Sequence, residues 1–147
     1  MTESTIALDP NDEWTPENVK RGRDRIAALI CNRDYELLFT EACCLFYALA
    51  LQEKLGMPAY YECNPGTDKL RHVFVMNGKT QCYDYEGPKD ISAIAEKYGG
   101  WRDVPPTPLT AERARKDICK RELGDLEASI LNLARSEFLG RRALYPQ

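Results

Sequence analysis

The spacing of apolar positions changes period several times along the chain. Val19, Ile26, Ala27, Leu29 and Ile30 recur at helical spacing behind Thr15-Pro16-Glu17. That triplet supplies a capping hydroxyl, a first-turn proline and an acid, so a helix begins there and ends near Asn32 and Asp34. Residues 42–55 are apolar nearly all round, which predicts a buried central helix. Phe39-Thr40-Glu41 leads into it with Thr40 as the capping candidate, Gly56 stops it and Pro58 keeps it from resuming. The period then falls to two. Ala59 to Cys63 reads as a strand, Asn64 to Asp68 as a loop, and His72–Met76 and Thr80–Tyr85 as two strands joined across Asn77-Gly78, a strong hairpin signal.

Helical spacing returns from Pro88 to Tyr98, closed by Gly99-Gly100. Trp101 to Pro108 reads as an extended linker, with Trp101 covering the edge of the core. Thr110 caps a helix to Glu122, Gly124 breaks it, and Asp125–Leu139 forms another with Leu126, Ile130, Leu133 and Phe138 on one face. Helices, a buried helix, an antiparallel sheet of at least three strands and further helices make an α+β fold. The expected organisation is one domain over residues 1–147, with 1–15 flexible and 106–147 a helical hairpin docked on the core.

Composition narrows the function classes. The chain of 147 residues is 44% hydrophobic and 29% charged, a globular balance. A net charge of −3 argues against a broad nucleic-acid surface. The acidic start MTESTIALDPNDEW lacks a signal peptide's basic and apolar regions, and no apolar run is long enough to cross a bilayer. The expected location is the cytoplasm, with no membrane association. Six cysteines are present, Cys31, Cys43, Cys44, Cys63, Cys82 and Cys119. They form no CxxC pair, and adjacent Cys43 and Cys44 suit a closed zinc site poorly, so reduced thiols and no metal are expected.

One histidine, His72, opens the second strand, and Asp84 lies one hairpin arm later. A thiol becomes nucleophilic when its pKa falls, and a helix N-terminus near an imidazole does this. Cys43 and Cys44 stand at the start of the central helix, whose free N–H groups can also hold an oxyanion. Asp84 would orient the imidazole through its second nitrogen.

Three segments carry a family resemblance: Cys44-Leu-Phe-Tyr-Ala-Leu-Ala-Leu-Gln-Glu-Lys-Leu-Gly-Met-Pro, His72-Val-Phe-Val-x-Asn-Gly and Tyr83-Asp84-x-x-Gly87. Together they resemble the papain-like and transglutaminase-like cysteine-nucleophile superfamily over roughly residues 38–100. Members begin a buried helix with the nucleophile, followed three and four residues later by an aromatic and an alanine. Here Tyr47 and Ala48 fill those places relative to Cys44, which makes Cys43 its neighbour. The resemblance implies Cys44 as nucleophile, His72 as general base and Asp84 as orienting acid. The chain departs from the pattern upstream, where Phe39-Thr40-Glu41-Ala42-Cys43 holds neither the common glycine nor a polar oxyanion residue. Only the Cys44 backbone N–H is assigned to the oxyanion.

The reading is a small enzyme that attacks an amide, isopeptide or thioester carbonyl of a protein or peptide and passes through a covalent thioester. Hydrolysis, deamidation and transamidation all fit, without a cofactor. The alternative is a non-catalytic binding or regulatory module on the same scaffold, using the two C-terminal helices to pair with a second copy or a protein partner. Tyr60, Tyr61, Tyr83 and Tyr85 read as sheet-packing aromatics, and Arg141-Arg142 as solvated surface. The hairpin sets a condition on the triad. A strict two-residue turn would put His72 and Asp84 on opposite faces. An odd-numbered loop, with Gly78 left-handed, would put them on one face and set His72 opposite Cys82 or Asp84.

Overall fold

Six α-helices, a short π-helical segment, a terminal 3-10 turn and five strands occupy residues 14–63, 70–98 and 106–146, the part that this computed structural model describes. Helix α1 runs Pro16–Cys31, with the Thr15 hydroxyl accepting from the Asn18 N–H at 3.1 Å. A single turn, α2 (Tyr35–Leu37), passes into the π-helical Leu38–Ala42 and then α3, Cys44–Leu55. The strands are β1 (Ala59–Cys63), β2 (Leu70–Asn77), β3 (Gln81–Asp84), β4 (Gly87–Asp90) and β5 (Thr107–Pro108). Helix α4 (Ile91–Tyr98) follows β4, while α5 (Ala111–Arg121) and α6 (Leu126–Gly140) follow β5. The sheet is antiparallel in the order β4-β3-β2-β1-β5. The fold is α+β, with the Cys44 helix packed on the sheet.

The buried run foreseen in α3 is the centre of the core. Leu45, Phe46, Tyr47, Ala48, Ala50 and Leu51 are all inaccessible, and they meet Val73, Val75 and Tyr83 from the sheet and Tyr85 from the β3–β4 turn. Helix α6 covers the other side of α3 with Ile130, Ala134 and Phe138. Phe74, Met76, Cys82 and Ile94 form a second cluster beneath α4. The two clusters follow from the strand period, since odd and even positions of β2 enter different layers.

Several boundaries differ from the sequence reading. Thr40 does not cap α3. It sits inside the π-helical segment and its hydroxyl donates back to the Glu36 carbonyl at 2.6 Å, so Cys43 takes the cap position without a side-chain cap. The helix placed from Pro88 begins at Ile91, because Gly87–Asp90 pairs with β3 and the Asp90 carboxylate accepts from the Ser92 N–H. Thr107-Pro108, placed in a linker, is a two-residue edge strand on β1. Arg141 and Arg142 are not a solvated pair. Arg141 donates to the Tyr85 carbonyl at 2.9 Å and stacks on that ring, while Arg142 donates to the Tyr145 and Pro146 carbonyls. The expected flexible N-terminus is mostly outside the described residues, as are the Asn64–Asp68 loop, the Gly99-Gly100 stop and Trp101.

The hairpin loop has three residues, 78–80, between paired Asn77 and Gln81, and Gly78 has φ +82°. That is the odd loop the one-face arrangement requires. The partner differs from expectation, since Val75 pairs with Tyr83. One step further along, Asp84 stands beside Phe74 rather than opposite His72. Alternation still leaves His72, Phe74 and Asp84 on one face.

Candidate active site

The acid is held by a tight turn. Asp84 pairs with Gly87 across β3 and β4, and the Glu86 N–H donates to Asp84 Oδ1 at 2.9 Å. Gly87 has φ +103°, and a Cβ there would meet the Leu144 side chain at 3.5 Å. Such a φ favours glycine, which gives the Asp-x-x-Gly spacing a physical basis. The other oxygen, Asp84 Oδ2, lies 3.2 Å from His72 Nε2 and 3.2 Å from Lys89 Nζ. Burial pushes the Asp84 carboxyl up, but the hydrogen bond and charge of His72, with Lys89 behind them, bring it below its usual value. An ionised carboxylate only accepts, so His72 Nε2 carries the proton it donates.

His72 is 1% exposed and stacks on Phe74 with centroids 5.7 Å apart. Burial opposes a charged imidazole. The Asp84 hydrogen bond and the neighbouring Cys44 thiol together outweigh it, and the pKa is raised to about 8. With Nε2 committed to Asp84, Nδ1 is the ring nitrogen left to the Cys44 thiol.

Cys44 begins α3 and is 6% exposed, with Sγ 3.9 Å from the Arg71 carbonyl. The structure therefore brings together Cys44, His72 and Asp84, which lie far apart in the chain. Cys43 is wholly buried, and burial pushes its thiol up to about 12. This buried thiol is held protonated. Cys31, Cys43, Cys44, Cys82 and Cys119 are free thiols.

Sequence reasoning missed three supports. Lys89 is mostly covered and ion-pairs with both Asp84 and Glu86. Arg121 forms an i,i+4 pair that is buried: its Nε donates to Asp117 at 2.8 Å, and Nη1 donates to the Ala42 carbonyl, just before the thiol pair, at 2.9 Å. Tyr145 comes from the C-terminal segment and donates to the Asp84 carbonyl at 2.7 Å. Its single proton is thereby used, so the Tyr47 hydroxyl, 2.9 Å away, donates to it. Tyr145 thus ties helix α3, through Tyr47, to the strand that carries Asp84. The only available signal for it was an isolated aromatic near the chain end.

Among the described residues, no group of three or more histidine, cysteine or acidic side chains is arranged to hold a metal ion. No helix among them is long and apolar enough to cross a membrane. Compared with known proteins, the chain matches no family model, no curated protein and no solved structure.

Proposed function

We propose that the chain is a cytoplasmic cysteine-nucleophile enzyme of papain-like or transglutaminase-like type, acting on an amide, isopeptide or thioester carbonyl of a protein or peptide. The observation that carries this reading is the buried His72–Asp84 hydrogen bond at 3.2 Å, with the Cys44 thiol at the start of α3 lying 3.9 Å from the carbonyl of Arg71, the residue before His72. In the first step His72 takes the Cys44 proton and Sγ attacks the acyl carbon. The developing oxyanion lies toward the N–H groups that open α3, where no side-chain cap competes for them. The tetrahedral species collapses, the C–N or C–S bond breaks, and the imidazolium returns its proton to the leaving amine or thiol. Water or an amine then gives up a proton to His72, attacks the thioester and releases Cys44. Asp84 fixes the ring's tautomer and orientation throughout.

A second reading, a non-catalytic module that holds a partner, draws support from the closure of the site, since Cys44 and His72 expose 6% and 1% of their surfaces. One experiment separates the two. Cell protein is incubated with the wild-type chain and with Cys44→Ala, and mass spectrometry searches for deamidated, cleaved or cross-linked peptides. A product formed only by the wild type supports the enzyme. Its absence, together with retained capture of a partner by Cys44→Ala, supports the module.

A further inference from the structure

Two carboxyl groups neighbour the His72 imidazole, and only one has its hydrogen bonds filled. Asp84 accepts from His72, from Lys89 and from the Glu86 N–H. Glu62 stands on the other side, directly across the β1–β2 ladder from His72. Opposed residues of an antiparallel pair project to the same face, so Glu62 shares the layer of the imidazole. Its Oε2 is buried and has no hydrogen-bond partner among the described residues. A buried acceptor without a donor is costly and uncommon, and it points to a group that arrives from outside the fold.

We propose that Glu62 is a substrate-contacting residue beside His72 that selects a hydrogen-bond-donating or positively charged nitrogen, a primary amine or carboxamide N–H, in the substrate or acyl acceptor. This deepens the thiol-enzyme reading and rests on it for the role of the bound group. The charges around Glu62 fit such a ligand. Burial pushes its carboxyl up to about 7, and the neighbouring Arg71 and His72, both on β2, act in the opposite direction. The side chain therefore ionises near neutrality. Arg71 and His72 are the cations with which an incoming ammonium group must compete, so a neutral amide N–H binds at lower electrostatic cost than a charged amine.

The test uses the Cys44 thiol and two synthetic probes of equal chemistry and opposite charge, a trimethylammonium-ethyl and a sulfonato-ethyl methanethiosulfonate. Labelling is read on the Cys44 peptide by mass spectrometry, so Cys31 and Cys119 do not interfere. At about pH 8 the cation-to-anion rate ratio should fall about three- to ten-fold in Glu62→Gln, the range expected if the carboxylate acts at close range on the reagent arriving at the thiol. Glu62→Asp should keep most of the wild-type ratio. In the wild type the ratio should rise between about pH 6 and 7.5 as Glu62 ionises, ahead of the step that His72 adds near 8. An unchanged ratio in folded Glu62→Gln overturns the assignment. So does a flat wild-type ratio over that window, which needs no variant to fold. If His72→Ala leaves the Cys44 labelling rate unchanged while Glu62→Gln shifts the ratio, the catalytic reading fails and the Glu62 contact stands.

Discussion

His72 Nε2 and Asp84 Oδ2 lie 3.2 Å apart, with 1% and 5% of the two residues exposed. Burial alone would depress the imidazole, and the Asp84 hydrogen bond together with the nearby Cys44 thiol reverses the sign. Because the chain has one histidine, a single imidazole resonance reports this balance. Its NMR titration should give about 8 in the wild type. In Asp84→Asn the largest opposing contribution is removed and burial dominates, so the titration should move below 6.5. An Asp84→Asn value still near 8 would mean that another group holds the proton.

The same elevation makes stability depend on pH. The folded value exceeds the ordinary 6.5, so the folded state binds the extra proton between the two. The contribution is fully present below about 6.5 and is lost as pH rises through about 8, with a size on the order of 1–2 kcal/mol. Asp84, held below its usual value, expresses the same interaction on the acid side, where stability falls as the carboxyl is protonated. Denaturant midpoints measured from pH 6 to 9 should decline in the wild type and be flatter in His72→Gln.

Reactivity of the thiol separates a working imidazole from a packed one. Cys44 alkylation near neutral pH should slow about ten-fold or more in His72→Ala, which removes the proton acceptor and ionic partner, and by a smaller factor in Asp84→Asn. His72→Ala should also cost roughly 1 kcal/mol or more of stability, since the ring is buried. If His72→Ala lowers the melting temperature and leaves the alkylation rate where it was, His72 is a core residue and the triad is structural.

The readable features were those with a repeating pattern. The all-round apolar stretch gave α3, alternation gave β1 to β3, and the need for an odd loop around Gly78 gave the shared face of His72 and Asp84. Strand β4 was hidden because Gly-Pro-Lys-Asp carries no apolar alternation, and β5 because two residues have no period at all. The start of α3 was misplaced because Thr40 looks like a cap in one dimension, whereas a π-helical turn consumes its hydroxyl internally. Lys89 and Arg121 were hidden for a different reason. A charged residue in a polar stretch looks solvated, and its nearby acids look like surface partners, until the fold buries the pair, as it does Lys89 with Asp84 and Arg121 with Asp117. The register differed because the three-residue loop occupies 78–80, one residue later than a pairing of His72 with Asp84 requires.

Tyr145 gives the last prediction, because it links the C-terminal segment to the site through one atom. Its hydroxyl donates to the Asp84 carbonyl and accepts from Tyr47, while its ring stacks on Phe138 with centroids 5.4 Å apart. Tyr145→Phe keeps the ring and removes only the hydroxyl, leaving the Asp84 carbonyl without that donor and the buried Tyr47 hydroxyl without its acceptor. The expected loss is about 1–3 kcal/mol. Removing residues 145–147 also deletes the buried ring, so the loss should grow to roughly 3–5 kcal/mol. If the segment only fills space, Tyr145→Phe should be nearly neutral and the His72 titration should stay in place. If it positions the acid, the titration should shift downward in Tyr145→Phe, in the same direction as in Asp84→Asn and by less. Comparing the denaturation midpoint and the imidazole resonance of Tyr145→Phe with those of the wild type distinguishes the two.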